Sequence, residues 1–322
     1  MVGYSLFEGR PATTKGQWWN PVVFAHLRLV ANRAEQRVDR PVFIVGMGRS
    51  GTTLLGRILA SHPSVGFLNE PKAMWHAIRD DEDIIGSYGT SRIGRLHLDT
   101  EDANEEVCHR ARSLYAWYLR ATRSTRVVDK YPELVFRHTF VRTIFPDARF
   151  LIAVRSPWET LNSVAGWSRT HADSCADWWG VRDQKWNIFW TQGVIEDPAN
   201  SDLARLELAS EQNHHIRAAI EWVVTMRAAL SLAAVDPRAR IFHYAELVRH
   251  PRETIRNALR FCELPSSLRT EAYASAIVST DQGPSRSTHA PLPLPELLTA
   301  AINKTWARLE GTGQTSQARQ PR

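Results

Sequence analysis

A chain of 322 residues, 43% hydrophobic and 23% charged, is long enough for one large α/β domain or two ordinary ones. Its net charge of +6 suits an anionic ligand, yet the arginines are spread out, with no zinc-finger spacing and no aromatic-basic RNA motif, which argues against nucleic acid. Cys108, Cys175 and Cys262 are too sparse for a disulfide framework or a metal site, no apolar run approaches the ~20 residues of a membrane span, and the N-terminus lacks an apolar leader, so a cytoplasmic protein is expected.

From the N-terminus, residues 1–40 read as a helical segment. Val22, Val23, Leu27, Val30 and Ala34 recur at helical spacing after the start signal Asn20-Pro21. Val42–Val45 is a short apolar run of strand type. It meets the glycine-rich turn of "VGMGRSGTTLL", and the apolar pattern resumes at Leu54 with helical period. A strand, a phosphate-cradling loop and a helix over Thr52–Ala60 are predicted. Gly46 to Gly51 has the G-x-x-x-x-G spacing of a nucleotide P-loop, but Thr52 stands where Gly-Lys would continue. A loop without that lysine is not built to grip a triphosphate.

Val65–Leu68 follows as a second strand, and Asp80–Asn104 as an irregular excursion. A helix over Glu105–Ala121 leads to a strand at Val127–Asp129, and Leu134–Ile144 is helical again. Phe150–Val154 is a strand with Arg155-Ser156-Pro157 at its end and a helix through Ala165. The alternation predicts an α/β fold, a P-loop-NTPase-like parallel sheet covered by helices on both faces. From about 167 to 213 the pattern changes to a tryptophan-rich helical insertion, read as a cover on the acceptor side. Helices over Ile216–Val235 and Leu247–Cys262 flank a last strand at Arg240–His243. The main domain spans 41–310, and 311–322 is polar enough to be a disordered tail.

In such a sheet, ligands bind beyond the carboxyl ends of the strands. Arg155 would then share an edge with Arg49, Ser50, Gly51, Thr52 and Thr53, with Ser163 two helical turns further on. Two separated phosphate groups are implied, without magnesium. "GMGRSGTTLL" with "RSPWETLNSV" resembles the two phosphate motifs of the sulfotransferase family, and "HYAELVRHP", from Tyr244, is similar to a third family patch. The likeness runs from about Pro41 to Glu263 and is nearest to the tyrosylprotein type and its bacterial relatives.

The resemblance implies 3′-phosphoadenosine 5′-phosphosulfate (PAPS) as co-substrate, no metal, and an acceptor hydroxyl on a small molecule, glycan, lipid or peptide. It places Glu70 of "SHPSVGFLNEP" as general base, with His62 of the same stretch as the alternative because other branches of the family use histidine, and Lys130 of "VVDKYPE" at the leaving oxygen. Cofactor contacts carried over are Arg49, Ser50, Gly51, Thr52, Thr53, Arg155, Ser163, Tyr244, Ser279 and Thr280, the last two in a patch similar to the family's Ser-Ser-Asp-Gln. The chain departs from the family in having Lys72 where an arginine is usual, and after Gln282. Two other readings compete: a P-loop kinase or NTPase, and a non-catalytic nucleotide-binding protein. The bland roles are a plain turn at the loop, a helix cap at Glu70, a solvated lysine at 130 and core packing for Tyr244.

Overall fold

The computed structural model describes residues 20–33, 37–86, 88, 94–170, 178–206, 213–281 and 293–318, without the side chains of 168–170, 181, 279–281 and 313–318. Five strands form one parallel sheet: β1 (Val42–Gly46), β2 (Val65–Asn69), β3 (Arg126–Lys130), β4 (Arg149–Val154) and β5 (Ala239–His243). Their order is β2-β3-β1-β4-β5. β1 is central, with Val42 opposite both Val128 and Arg149, and all five of its residues are buried. β2 and β3 lie to one side of β1 and β4 and β5 to the other, so the strand order reverses at β1 and opens a crevice at the carboxyl ends.

Twelve helices are used here: α1 (Asn20–Ala31), α2 (Thr52–Ala60), α3 (Lys72–Ile78), α4 (Glu105–Thr122), α5 (His138–Ile144), α6 (Pro157–Thr170), α7 (Gln184–Trp190), α8 (His214–Val235), α9 (Tyr244–Arg249), α10 (Pro251–Phe261), α11 (Leu268–Asp281) and α12 (Glu296–Ala318). Strand alternation sorts the core into two layers. Phe43 and Val45 join Phe150, Ile152 and Val154 in the larger layer, beneath α1, α4, α5 and α8. Val42 and Ile44 join Val128 and Leu151 in the other, against Leu55, Ile58 and Leu59 of α2 and Ile255 and Leu259 of α10. The sheet is therefore parallel and covered on both faces, as its apolar runs predict.

Several elements differ from expectation. The helix α3 forms at Lys72–Ile78, where the apolar pattern assigned no element although Ala73, Met74 and Ala77 are good helix formers. The helix expected over 247–262 is two, because Pro251 offers no N–H and disfavours helical backbone at His250, whose φ is −131°. The proposed tail is also corrected: α12 runs on to Ala318, so 311–318 is helical, while 319–322 lie outside the described residues. Once a helix is nucleated, each further residue needs little propensity to extend it. α1 is no separate segment, since Val23, Leu27 and Val30 belong to the larger core layer; residues 1–19 lie outside the described ones. By length and composition α8 is apolar enough to cross a membrane, and 67% of that window is buried inside the fold.

Trp167 belongs to α6, so the change of pattern comes after it. Of the insertion, 171–177 and 207–212 lie outside the described residues. Trp179 and Trp186 are buried in the larger core layer, and Trp190 packs on it. The described insertion thus shares a core with the sheet.

Candidate active site

The loop after β1 is shaped by left-handed backbone. Gly46 has φ +131°, and a Cβ there would stand 2.6 Å from the Ala153 carbonyl oxygen. Arg49 (φ +68°) and Gly51 (φ +88°) turn the chain so that Gly51 caps α2 without any side-chain hydrogen bond. The N–H groups of the first turn are thereby left to face a ligand, at the positive end of the helix dipole. Ser50 is buried, and its hydroxyl has no hydrogen-bond partner among the described residues.

The Tyr244 ring, at the start of α9, closes over Gly51: a Cβ on Gly51 would lie 2.4 Å from Tyr244 Cδ2. Gly51→Ala forces a left-handed alanine, worth about 1 kcal/mol of strain by itself, and displaces the ring. We expect a lower melting temperature and at least tenfold weaker binding of 3′-phosphoadenosine 5′-phosphate (PAP) by calorimetry. Unchanged affinity would show that the loop does not hold phosphate.

Arg155 leaves β4 beside this loop. Its Nη1 donates to the Arg49 carbonyl at 3.4 Å, its Nε to Glu159 at 3.2 Å, and its guanidinium stands 4.5 Å from the Tyr244 ring centre. Glu159 is 56% exposed, so that ion pair is weak and easily exchanged for an anionic ligand. Arg49 Nε donates to Ser163 Oγ at 3.1 Å. The loop after β1 and the Arg155–Ser163 stretch thus touch.

Across the crevice Glu70 and Lys130 meet. β2 and β3 are in register with Asn69 opposite Lys130, which brings the two strand ends together. Glu70 holds φ +52°, a costly backbone for a side chain of this type, pinned by its N–H donating to the Lys130 carbonyl at 2.7 Å. Lys130 Nζ returns a 2.5 Å hydrogen bond to Glu70 Oε1 and is 2% exposed. A buried cation is costly unless it is paired, and Glu70 supplies the pair.

Charged residues surround the pair. Lys72 stands 3.9 Å from Glu70 Oε2 and 3.8 Å from Glu133 Oε1. Burial would push the Glu133 carboxyl up, but Lys72 and Lys185 outweigh it and hold it below the usual range. Lys185, from the insertion, donates to Glu221 at 2.7 Å, and Trp178 Nε1 donates to the other oxygen of Glu221 at 3.0 Å. Burial pushes the Lys185 ammonium down, and Glu221, Glu133 and Glu70 more than offset that. Behind Lys130, buried Asp129 accepts from Trp75 Nε1 at 2.9 Å and from the Tyr115 hydroxyl, and burial pushes its carboxyl up to about 7.

A cavity of about 540 Å³ joins these parts. It is lined by Arg49, Gly51, Thr52, Thr53, Glu70, Lys130, Arg155, Ser163 and Tyr244, all expected from the sequence. Ser50 sits in the same loop. The backbone of Ser279 and Thr280 is on α11, whose Ile277 reaches the cavity, but their side chains lie outside the described residues. Sequence reasoning missed Asn69 and Arg57 in the lining, and the Glu133, Lys185 and Glu221 charges beside it; Trp167 and Trp178, which also line it, come from the tryptophan-rich stretch read as a cover on the acceptor side. No local pattern marks those three charges, which are brought together from separate elements. His62, the alternative base, is buried with both ring nitrogens engaged, Nε2 with the Pro265 carbonyl at 3.0 Å and Nδ1 with Ser64 N–H at 3.2 Å.

Comparison with known proteins follows the same outline. Residues 41–198 match the Sulfotransferase family. The chain is 25% identical over 229 residues to the protein-tyrosine sulfotransferase of Drosophila melanogaster, covering 70% of this chain and 38% of that protein. It is 25% identical over 233 residues to protein-tyrosine sulfotransferase 1 of Danio rerio, covering 70% and 54%. The chain therefore matches only about a third to a half of the length of these relatives. Among solved structures, the sulfotransferase domain from the Synechococcus PCC 7002 olefin synthase aligns over 85% of this chain and 98% of that one, with 18% identity and a TM-score of 0.46.

Proposed function

We propose that this chain, which belongs to the PAPS-dependent sulfotransferase superfamily, transfers a sulfuryl group from PAPS to an acceptor hydroxyl. The observation that carries the reading is the Glu70–Lys130 pair, set in one cavity with an uncapped helix N-terminus and the Arg155–Ser163 motif. The residues fit such a donor. Ser50 offers a buried hydroxyl without a partner among the described residues, and the close approach of Tyr244 to Gly51 leaves space only for bare backbone at the loop.

The donor supplies an activated sulfuryl group on a 5′-phosphate and a 3′-phosphate as a handle. The α2 N-terminus and Thr52 and Thr53 would hold the 5′ end, and Arg155 with Ser163 the 3′-phosphate. Glu70 takes the acceptor's hydroxyl proton as that oxygen bonds to sulfur, and the bond from sulfur to the bridging oxygen breaks. Lys130 offsets the charge that develops on the bridging oxygen, as a fixed cation does in phosphoryl transfer. Trp167 and Trp178 line the same cavity with ring centres 5.4 Å apart, an apolar wall suited to the body of the acceptor.

Calorimetry tests the reading directly. PAP should bind, and ATP with magnesium should bind far more weakly. Arg155→Ala should weaken PAP by at least tenfold, the scale of a lost charge-assisted contact. It should leave adenosine 5′-phosphosulfate, which has no 3′-phosphate, nearly unchanged. Equal losses for both ligands would reduce Arg155 to a supporting role, and preference for ATP-magnesium would overturn the assignment.

A further inference from the structure

The two residues assigned to base and leaving-group chemistry are engaged with each other. Glu70 Oε1 already accepts from Lys130 at 2.5 Å, so neither group is at its own task in this arrangement. For Lys130 to face a donor's bridging oxygen it must loosen its hold on Glu70. The carboxylate would then lose a hydrogen bond to a cation, and a largely buried charge is costly when its pairing weakens.

The other oxygen of Glu70 faces a second cation. Lys72 Nζ lies 3.9 Å from Glu70 Oε2, within ion-pair reach but beyond hydrogen-bond length, and 3.8 Å from Glu133 on its other side. Lys72 opens α3, its own N–H donates to the Glu70 carbonyl at 2.7 Å, and its ammonium stands 5.7 Å from the Tyr131 ring centre. Among the described residues, Asp129 on β3 and Lys185 on α7 also interact electrostatically with Glu70. Lys185 is already hydrogen-bonded to Glu221. Of Lys72 and Lys185, Lys72 is thus the one placed to draw closer to Glu70 with a small motion.

Resting on the sulfotransferase reading, we propose that Lys72 is a positioning residue that takes over the Glu70 carboxylate when Lys130 turns to the donor. Donor binding and release of the base are then one coupled event. Glu70 competes with the donor for Lys130, and Lys72 competes with Lys130 for Glu70.

The full chain tests this by calorimetry with PAP alone, so no acceptor is needed. Glu70→Gln should bind PAP about five- to tenfold more tightly, because no carboxylate then holds Lys130. Lys72→Met should bind it about five- to tenfold more weakly, because Glu70 then holds Lys130 more firmly. In the double variant the Lys72→Met loss should vanish, and Lys72→Arg should stay within about twofold of wild type. Should Lys72→Met fail to fold by circular dichroism, Glu133→Gln carries the test with the opposite sign. It releases Lys72 toward Glu70, so PAP should bind more tightly, and that gain should vanish beside Glu70→Gln. A loss or gain that persists unchanged in the Glu70→Gln background is a plain charge effect on an anionic ligand and overturns the proposal. Wild-type protein that binds PAP while the cycle is additive overturns this inference alone. Wild type that does not bind PAP overturns the function reading with it.

Discussion

Glu70→Gln should slow sulfuryl transfer to an aliphatic alcohol by ~10²–10⁴, the usual worth of a general base. The amide keeps the size of the side chain and the backbone pin from Glu70 N–H to the Lys130 carbonyl, so the cavity should be preserved. What it loses is the ability to take a proton. Turnover is measured with radiolabelled donor and a panel of alcohols and phenols. The deficit should shrink for phenols at high pH, where the acceptor is already partly ionised and less proton removal is required. Read from sequence, Glu70 touches the acceptor only, and donor affinity should be indifferent to it. Its 2.5 Å contact with Lys130 changes that expectation, because the variant frees the lysine for the donor. Transfer to an alcohol within about threefold of wild type would place the base elsewhere. His62 would be a poor substitute, since it is 3% exposed and both its nitrogens already serve the fold.

Arg137→Met should destabilise the protein by about 3–5 kcal/mol near pH 8, the cost of stripping one partner from a buried ion pair. Arg137 is 1% exposed. It donates to Glu82 Oε2 at 3.0 Å and to the carbonyls of Glu82, Arg95 and Leu96. Tyr131, next to Lys130, donates to the same Glu82 oxygen at 2.8 Å. This cluster ties the excursion after α3 to the end of β3, so its loss should also loosen Lys130. Burial pushes the Glu82 carboxyl up to about 7 from an ordinary 4.5, against the pull of Arg137. The folded state therefore holds this proton more tightly than the unfolded chain, and stability from this group falls as pH rises between those values. Without Arg137 the folded carboxyl should hold its proton still more tightly. The penalty of the variant should then be smaller near pH 5, where Glu82 is protonated in the fold, than near pH 8. Urea unfolding at both pH values measures it. An equal penalty at both would mean that Arg137 acts through the carbonyl hydrogen bonds alone.

By itself the sequence determined the features that live in short windows. The apolar run Val42–Val45, the spacing from Gly46 to Gly51 and the helical period from Leu54 are adjacent in the chain, and the loop they predict is the loop that forms. Arg155 and Ser163 are eight residues apart on one strand-to-helix junction, so backbone periodicity alone sets their relation. The Pro251 break was also written locally, and it went unread because the apolar pattern continues across it. Only the tertiary structure decided the rest. Strand order makes β2 and β3 neighbours, and this neighbourhood brings Glu70 to Lys130 across sixty positions of chain. The left-handed backbone of Glu70 follows from that pairing rather than from any preference of glutamate. The tryptophans divide likewise: Trp179 and Trp186 fill core while Trp167 and Trp178 line the cavity, a distinction that composition does not encode. Lys72, Glu133, Lys185 and Glu221 come from separate elements, and packing sets Lys72 3.8 Å from Glu133 and Lys185 2.7 Å from Glu221. Local sequence specifies local backbone, whereas mutual compensation of buried charges exists only after packing has removed them from water.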